Sequence, residues 1–170
     1  MQWRAFVHNG ITYDLSHLSS KVCTFTQPAQ NQNPARDYRV EIDFGLHCFT
    51  RGLEEGETPD PVLIYSDARE TRIFDFERYE LSKLLPDLID RLPSCKCFHT
   101  EKGNFFTIEV HGEKKILYHV FFEASRTGTR KMLRLFVQSA YARDRLKRKP
   151  IRFFVVLFNT QNNREIKVPI

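Results

Sequence analysis

The feature that most constrains this chain is a series of β-type segments that fills its C-terminal half. Within them apolar and polar residues alternate, and short turn sequences such as HGEK and RTGTRK separate them. Alternate residues of a strand face opposite sides of a sheet, and consecutive strands with short links usually pair antiparallel. The pattern therefore predicts a four-strand antiparallel meander with strands at residues 104–110, 115–124, 132–141 and 151–159.

A helical pattern precedes the meander. Apolar residues recur at helical spacing in FDFERYELSKLLPDLIDRL, where Asp75 can cap the first turn. Pro86 interrupts this pattern and should kink the helix or divide it in two. Before the helix the chain is rich in β-type segments, and Asn9-Gly10 is a strong hairpin signal.

These segments predict one α+β domain over residues 1–170. It should contain an N-terminal β-rich layer (1–74), one kinked helix (75–92) and a C-terminal four-strand antiparallel meander (95–170). Hydrophobic residues make up 41% of the chain and charged residues 28%, which is typical of a soluble globular protein.

Positive charge is concentrated near the third predicted strand. Residues 126–152 contain ten basic residues and one acidic residue, a net charge of +9 in a chain of +5 overall. Such a field favours polyanionic partners, although a solvated loop that aids solubility is the alternative. Nine of the basic residues are predicted to bind nucleic acid: Arg126, Arg130, Lys131, Arg143, Arg145, Lys147, Arg148, Lys149 and Arg152.

Strand parity sorts the meander side chains onto two faces. One face is apolar and should hold the helix, whereas the other mixes aromatic residues with His119, Glu123 and Arg134. A histidine and a carboxylate can move the protons of RNA cleavage, and an arginine can bind the phosphate. We expect His119 and Arg134 to be the essential catalytic pair and Glu123 to position Arg134. The alternative is a solvent-facing surface with cross-strand ion pairs such as Glu123–Arg134.

Two short segments, FGLHCFTRG and CKCFHTEKG, bring cysteine and histidine together. Cys95, Cys97 and His99, with Cys48 or His47 beside them, could ligate zinc, and a cysteine could act as a nucleophile with a histidine as its base. The C-x-C-x-H spacing is unusual for structural zinc, and no surrounding residues specify a nucleophile. We interpret both segments as strand ends with inward-packed cysteines and expect no metal and no cofactor.

The sequence ITYDLSHL followed by DYRVEIDFGLHCFTRG resembles a group of short bacterial proteins, often encoded in prophage or other mobile regions. This resemblance implies a bacterial cytosolic setting and no particular activity. A helix on an antiparallel meander with a polar open face is also similar to small RNase toxins of the barnase–colicin–RelE type. That similarity implies metal-independent RNA cleavage, which His119, Glu123 and Arg134 would carry.

The leading hypothesis is an RNA-binding protein that could also be a metal-independent endoribonuclease, acting as a toxin or phage-defence component with a cognate inhibitor protein. The alternatives are a non-enzymatic module that binds nucleic acid or protein, and a small zinc-stabilised adaptor. No apolar run approaches the roughly 20 residues that cross a bilayer, and the N-terminus lacks the apolar region of a signal peptide. We therefore expect a cytoplasmic protein without a membrane partner.

Overall fold

The secondary structure is mainly β. A computed structural model describes residues 1–100, 105–111, 116–128, 132–142 and 149–168. The helices are α1 (Phe76–Ser82), α2 (Leu85–Asp90) and α3 (Phe153–Gln161), with short 3-10 helices at Ser16–Leu18, Pro61–Leu63 and Leu92–Ser94. The strands are β1 (Phe6–His8), β2 (Ile11–Tyr13), β3 (Lys21–Gln27), β4 (Arg36–His47), β5 (Thr50–Arg51), β6 (Ile64–Ser66), β7 (Thr71–Phe74), β8 (Cys97–His99), β9 (Phe105–His111), β10 (Ile116–Arg126), β11 (Met132–Ala142) and β12 (Lys149–Ile151).

A seven-stranded sheet organises these elements. Its strand order is β12-β8-β9-β10-β11-β4-β3. Strands β8 to β11 form an antiparallel meander, β4 lies parallel to β11, and β3 pairs antiparallel with β4. A hairpin of β1 and β2 and a three-stranded sheet of order β5-β7-β6 complete the β structure. The α+β class is confirmed, and the meander begins one segment earlier than predicted, at β8.

The last predicted strand, residues 151–159, is wrong because this segment is mostly helix α3. The run FFVVLF is apolar throughout, so its periodicity cannot distinguish a buried strand from a buried helix. In the structure Phe153, Val156, Leu157 and Thr160 are buried, at the spacing of one helical face. The Thr160 hydroxyl donates to the carbonyl oxygen of Val156, one turn earlier. Helix α3 packs against β10 and β11.

Three local predictions are confirmed. The predicted kinked helix is divided into α1 and α2, with Pro86 in the first turn of α2, where its missing N–H costs no hydrogen bond. The Asp75 carboxylate caps α1 by accepting a hydrogen bond from the backbone N–H of Arg78 at 3.0 Å. Asn9 and Gly10 have φ values of 49° and 75°, the left-handed conformation that a tight hairpin requires.

The hydrophobic core joins both halves of the chain. Buried side chains of β3 and β4 belong to the same cluster as those of β10, β11 and α3. The rings of Phe25 on β3 and Phe153 on α3, for example, meet edge to face with centroids 5.1 Å apart. Helix α3 therefore lies on the apolar face of the large sheet, whose opposite face carries the polar residues.

Gly45 permits a close approach of β4 and β11. The register of this parallel pair shifts between Val137 and Ser139. A Cβ atom at Gly45 would lie 2.8 Å from the carbonyl oxygen of Gln138 and 3.1 Å from that of Val137. Both contacts are with backbone, so a side chain could fit only if the two strands moved apart.

We predict that Gly45→Ala lowers the free energy of unfolding by about 1–3 kcal/mol, because overpacking forces the backbone to shift. Urea unfolding monitored by circular dichroism measures this change. Gly128→Ala is the matched control, since a Cβ atom there meets nothing within 4 Å. We expect it to change stability by less than about 0.5 kcal/mol. Equal unfolding midpoints for Gly45→Ala and the wild type would contradict the close approach.

Candidate nucleic-acid interface

Strand parity places the candidate catalytic residues on the face expected for them. Leu133 and Leu135 of β11 are buried on the side of α3, while Arg134 is half-buried on the opposite face. Glu123 of β10 is exposed, and its Cα partner on β11 is Phe136. This polar surface, which we term the open face, is where the sequence predicts catalysis.

The open face does not bring Arg134 and Glu123 together. Arg134 is the Cα partner of Ser125, and its Nε donates to Asp43 Oδ2 at 2.6 Å. Glu123 instead accepts a hydrogen bond from the side-chain amide of Gln138. Glu123 therefore does not position Arg134 in this structure, and Asp43 does so instead.

His119 occupies an apolar part of the same face. Its side chain is fully buried, and its ring lies 5.8 Å from the ring of Phe106 and 6.3 Å from that of Phe121, centroid to centroid. Its Nδ1 lies 3.2 Å from the carbonyl oxygen of Leu117. A general base must reach the proton that it abstracts, so this burial lends no support to catalysis by His119. Its catalytic role stays a prediction.

Asp43 is the central polar residue of the open face. It is only 5% exposed and accepts hydrogen bonds from the Ser20 hydroxyl and from Arg134. Burial alone acts to raise the pKa of Asp43, but the two hydrogen bonds, together with the positive charges of Arg134 and the N-terminal ammonium, outweigh burial and hold the pKa below its usual value. In the sequence Asp43 is one of several polar residues that alternate along a strand. The sequence does not distinguish it from the others, because its partner Arg134 comes from β11, which is distant in the chain.

A second polar pair, His47 and Glu70, was not predicted as a site. His47 Nε2 lies 2.7 Å from Glu70 Oε1, and Glu70 also contacts Arg72 at 3.3 Å. A cleft of about 370 Å³ beside this pair is lined in part by Trp3 and Ser139. No local signal links His47 to Glu70, because they are 23 residues apart and lie on separate segments.

Cys48 and Cys97 are buried, as expected of inward-packed structural cysteines, whereas Cys23 and Cys95 are half-buried. Burial raises the pKa of both the Cys48 and Cys97 thiols to about 12, which disfavours the thiolate that a nucleophile requires. His99 is also buried, and its ring meets Phe105 edge to face. Within the described ranges, no group of three or more His, Cys, Asp or Glu residues is arranged to hold a metal ion.

Three of the nine predicted nucleic-acid-binding residues lie in the described part of the chain. Arg126 and Arg152 are exposed, and Lys149 is half-buried on β12. In the sequence Arg126 comes before β11, whereas Lys149 and Arg152 come after it, and the eleven residues of β11 span about 33 Å. The other six lie outside the described residues: Arg130, Lys131, Arg143, Arg145, Lys147 and Arg148.

In the described part of the chain α3 borders three clefts, and basic residues line each of them. A cleft of about 640 Å³ beside the C-terminal end of α3 contains Arg126 and Arg164. A cleft of about 880 Å³ beside its N-terminal end contains Lys96 and Arg152. A third, of about 270 Å³, contains Arg36. Arg36, Lys96 and Arg164 lie outside the basic window of the sequence, and the fold brings them beside it.

These five basic residues and two aromatic residues of the helix, Phe154 and Phe158, form what we term the α3 surface. All five basic side chains are exposed, and none pairs with an acidic residue in the described part of the chain. Glu165 is the one acidic residue lining the three clefts within that part. The guanidinium carbons of Arg36 and Arg164 lie 4.9 and 5.5 Å from the centre of the Phe158 ring. The α3 surface therefore combines free positive charge with partly exposed aromatic rings.

Comparisons with known proteins show a relationship over nearly the whole chain. The model of the YjaZ family matches residues 5–161. The Escherichia coli K12 protein named Protein YjaZ is 33% identical over 174 residues, which cover 99% of this chain and 96% of that protein. No solved structure matches. Among the described residues, no helix combines the length and apolarity needed to span a bilayer.

We predict that Asp43→Asn destabilises the protein at neutral pH by about 1–3 kcal/mol, since Arg134 and Ser20 lose a charged acceptor. The pKa of the Asp43 carboxyl is lower in the folded than in the unfolded protein. The ionised carboxylate therefore contributes its full stabilisation above the unfolded pKa of about 4, and this stabilisation is lost as the pH falls through the folded pKa. The difference between variant and wild type should therefore shrink in acid, as measured by urea unfolding across pH.

The matched control for this experiment is Glu80→Gln, which removes the carboxylate partner of Lys83 from an exposed ion pair on α1. We expect it to cost less than about 0.5 kcal/mol at neutral pH. A constant difference between Asp43→Asn and wild type at every pH would contradict the role of the ionised Asp43 carboxylate.

Proposed function

The chain belongs to the YjaZ family, and we propose that it binds single-stranded RNA through the α3 surface. The observation that carries this proposal is the set of five exposed basic residues around one helix, none with an acidic partner in the described part of the chain. A phosphate chain would supply the missing counter-charges and release its own condensed cations on binding.

The aromatic residues of α3 favour single strands over duplexes. Phe154 and Phe158 are half-buried, so part of each ring remains open to a ligand. Unpaired bases can stack on such rings and on arginine planes, whereas the bases of a duplex are already stacked. Arg36 and Arg164 contact the Phe158 ring, so a positive charge for a phosphate and an aromatic ring for a base lie side by side.

Hydrogen-bonding groups in the same clefts favour RNA over other polyanions. Ser125 and Asn163 are exposed and line the cleft that contains Arg126 and Arg164. Their hydroxyl and amide groups can bind a ribose 2′-hydroxyl, which DNA lacks, or a base edge. A sulfated polysaccharide would satisfy the positive charge but not the aromatic rings.

We expect RNA binding to depend steeply on salt. The affinity for a short single-stranded RNA, measured by fluorescence anisotropy, should fall by at least about tenfold between low and physiological salt. Replacing Arg126, Arg152 and Arg164 together by Gln should weaken binding by about tenfold or more and reduce the salt dependence, because three phosphate contacts are lost.

The matched control replaces Arg4, Arg39 and Arg69 by Gln. These arginines are also exposed, but they line none of the three clefts around α3. We expect their loss to change affinity by less than about threefold, through net charge alone. A flat salt dependence in the wild type, or equal weakening by the two triple variants, would overturn the α3 surface as the binding site.

Cleavage of the bound RNA is a separate proposal that rests on the sequence. If His119 and Arg134 are catalytic, His119→Ala and Arg134→Ala should each reduce RNA cleavage by at least about 100-fold, and Glu123→Gln should reduce it less. A gel assay of RNA fragments with and without chelator measures this. Because His119 is buried, the melting temperature of each variant must be measured on the same sample, with His119→Gln as a more conservative change.

Wild-type cleavage by a folded His119 variant would exclude that residue from the chemistry. A wild-type protein that binds RNA without cleaving it would be a non-enzymatic binding module, and the proposed roles as a toxin or phage-defence enzyme with a cognate inhibitor would then lose their basis.

A further inference from the structure

The two edge strands of the large sheet differ in a way that points to a partner. Strand β12 has three residues, Lys149–Ile151, and its central residue, Pro150, has no N–H to offer a neighbour. Strand β3, at the other edge, has seven residues and no proline. In the described part of the chain its backbone pairs only with β4, so one side of β3 has no ladder.

Strand β3 lacks the features that usually protect an exposed edge. Natural edge strands are commonly short, bulged, or interrupted by proline or charge. The one charged residue of β3 is Lys21, and its ammonium is held 2.8 Å from the Asp90 carboxylate of α2. Val22, Thr24 and Thr26 are exposed on the open face, and Val22 is 52% exposed. The strand is nevertheless rigidly placed, because it pairs with β4 along its whole length.

We propose that β3 pairs antiparallel with β3 of a second copy of this chain, about a two-fold axis through Thr24. A two-fold axis perpendicular to the sheet keeps the apolar faces of both copies on the same side. Each residue of β3 must therefore pair with a residue of the second copy whose side chain projects from the same face of the strand. Thr24 is the midpoint of β3, and only an axis there lets all seven residues pair. Lys21 then lies opposite Gln27, and Val22 opposite Thr26, of the second copy.

This register avoids the usual penalties of strand pairing. No like charges face each other, because Lys21 meets Gln27 rather than a second lysine. The exposed Val22 side chain gains a β-branched neighbour. Of the two edge strands of the large sheet in the described part of the chain, only β3 lacks protection, so the pairing closes as a dimer and does not propagate along that sheet into a fibre. The interface is small, below about 1,200 Å², so the dimer should dissociate on dilution.

A cysteine at the axis tests the geometry directly. Directly opposed Cα atoms of an antiparallel pair lie about 4.5–5.5 Å apart, within the range that a disulfide spans. We expect Thr24→Cys to form a disulfide-linked dimer under mild oxidation, with the new cysteine joined to itself in the peptide map. Thr12→Cys is the control, since Thr12 is an exposed threonine on β2. Linkage no faster at Thr24 than at Thr12, or no faster than through the native cysteines, would overturn the proposal.

Sedimentation over a wide range of concentrations tests the assembly without a cross-link. We expect the wild type to change from monomer to dimer as concentration rises. Thr24→Lys should remain monomeric with an unchanged melting temperature, because the axis would place the two lysines against each other, whereas Thr12→Lys should dimerise normally. A wild type that is monomeric throughout, a species larger than a dimer, or a Thr24→Lys variant that still dimerises would each overturn the proposal.

Discussion

The parallel pairing of β4 with β11 is the interaction on which the rest of the structure depends. It is the only parallel ladder in the described part of the large sheet, and it joins residues of the first 50 to residues beyond 130. This pairing lets Arg134 reach Asp43, which is 91 residues away in the chain. It also requires a glycine at position 45, where backbone oxygens of β11 occupy the space of a side chain.

Features of this fold that depend on neighbouring residues can be predicted from the sequence, whereas features that depend on distant residues cannot. The α1–α2 division, the Asp75 cap and the Asn9-Gly10 turn depend on a few neighbouring residues, and all three are present. Apolar and polar residues do not alternate in the run at 151–159, so its sequence does not distinguish a strand from a helix. The run forms a helix because it packs on the apolar face of the sheet. Strand order is a non-local property, and no local pattern predicts that β4 rather than β12 lies beside β11.

In the candidate site, too, the face on which a residue lies can be predicted from the sequence, whereas its neighbours cannot. Parity assigned Arg134 and Glu123 to the open face, because parity is a property of one strand. It could not identify their neighbours, which come from β4 for Arg134 and from the bulged part of β11 for Glu123. The α3 surface likewise combines Arg126 and Arg152, from the basic window, with three basic residues that are remote in sequence. Charge clustering in the sequence therefore identifies part of the α3 surface, and the fold brings the remaining basic residues beside it.

The separation of β4 from β11 also has a consequence during synthesis. Chains grow from the N-terminus at about 5–20 residues per second, so β4 waits on the order of ten seconds for β11 to be made. During that time Val40, Ile42 and Phe44, all fully buried in the finished protein, lack the strand that completes their side of the sheet. A chain that stops before residue 132 would leave the apolar side chains of β4 beside an unpaired strand edge, a species that chaperones and proteases recognise. Strand β4 can therefore be paired along both of its edges only after β11, residues 132–142, has been made.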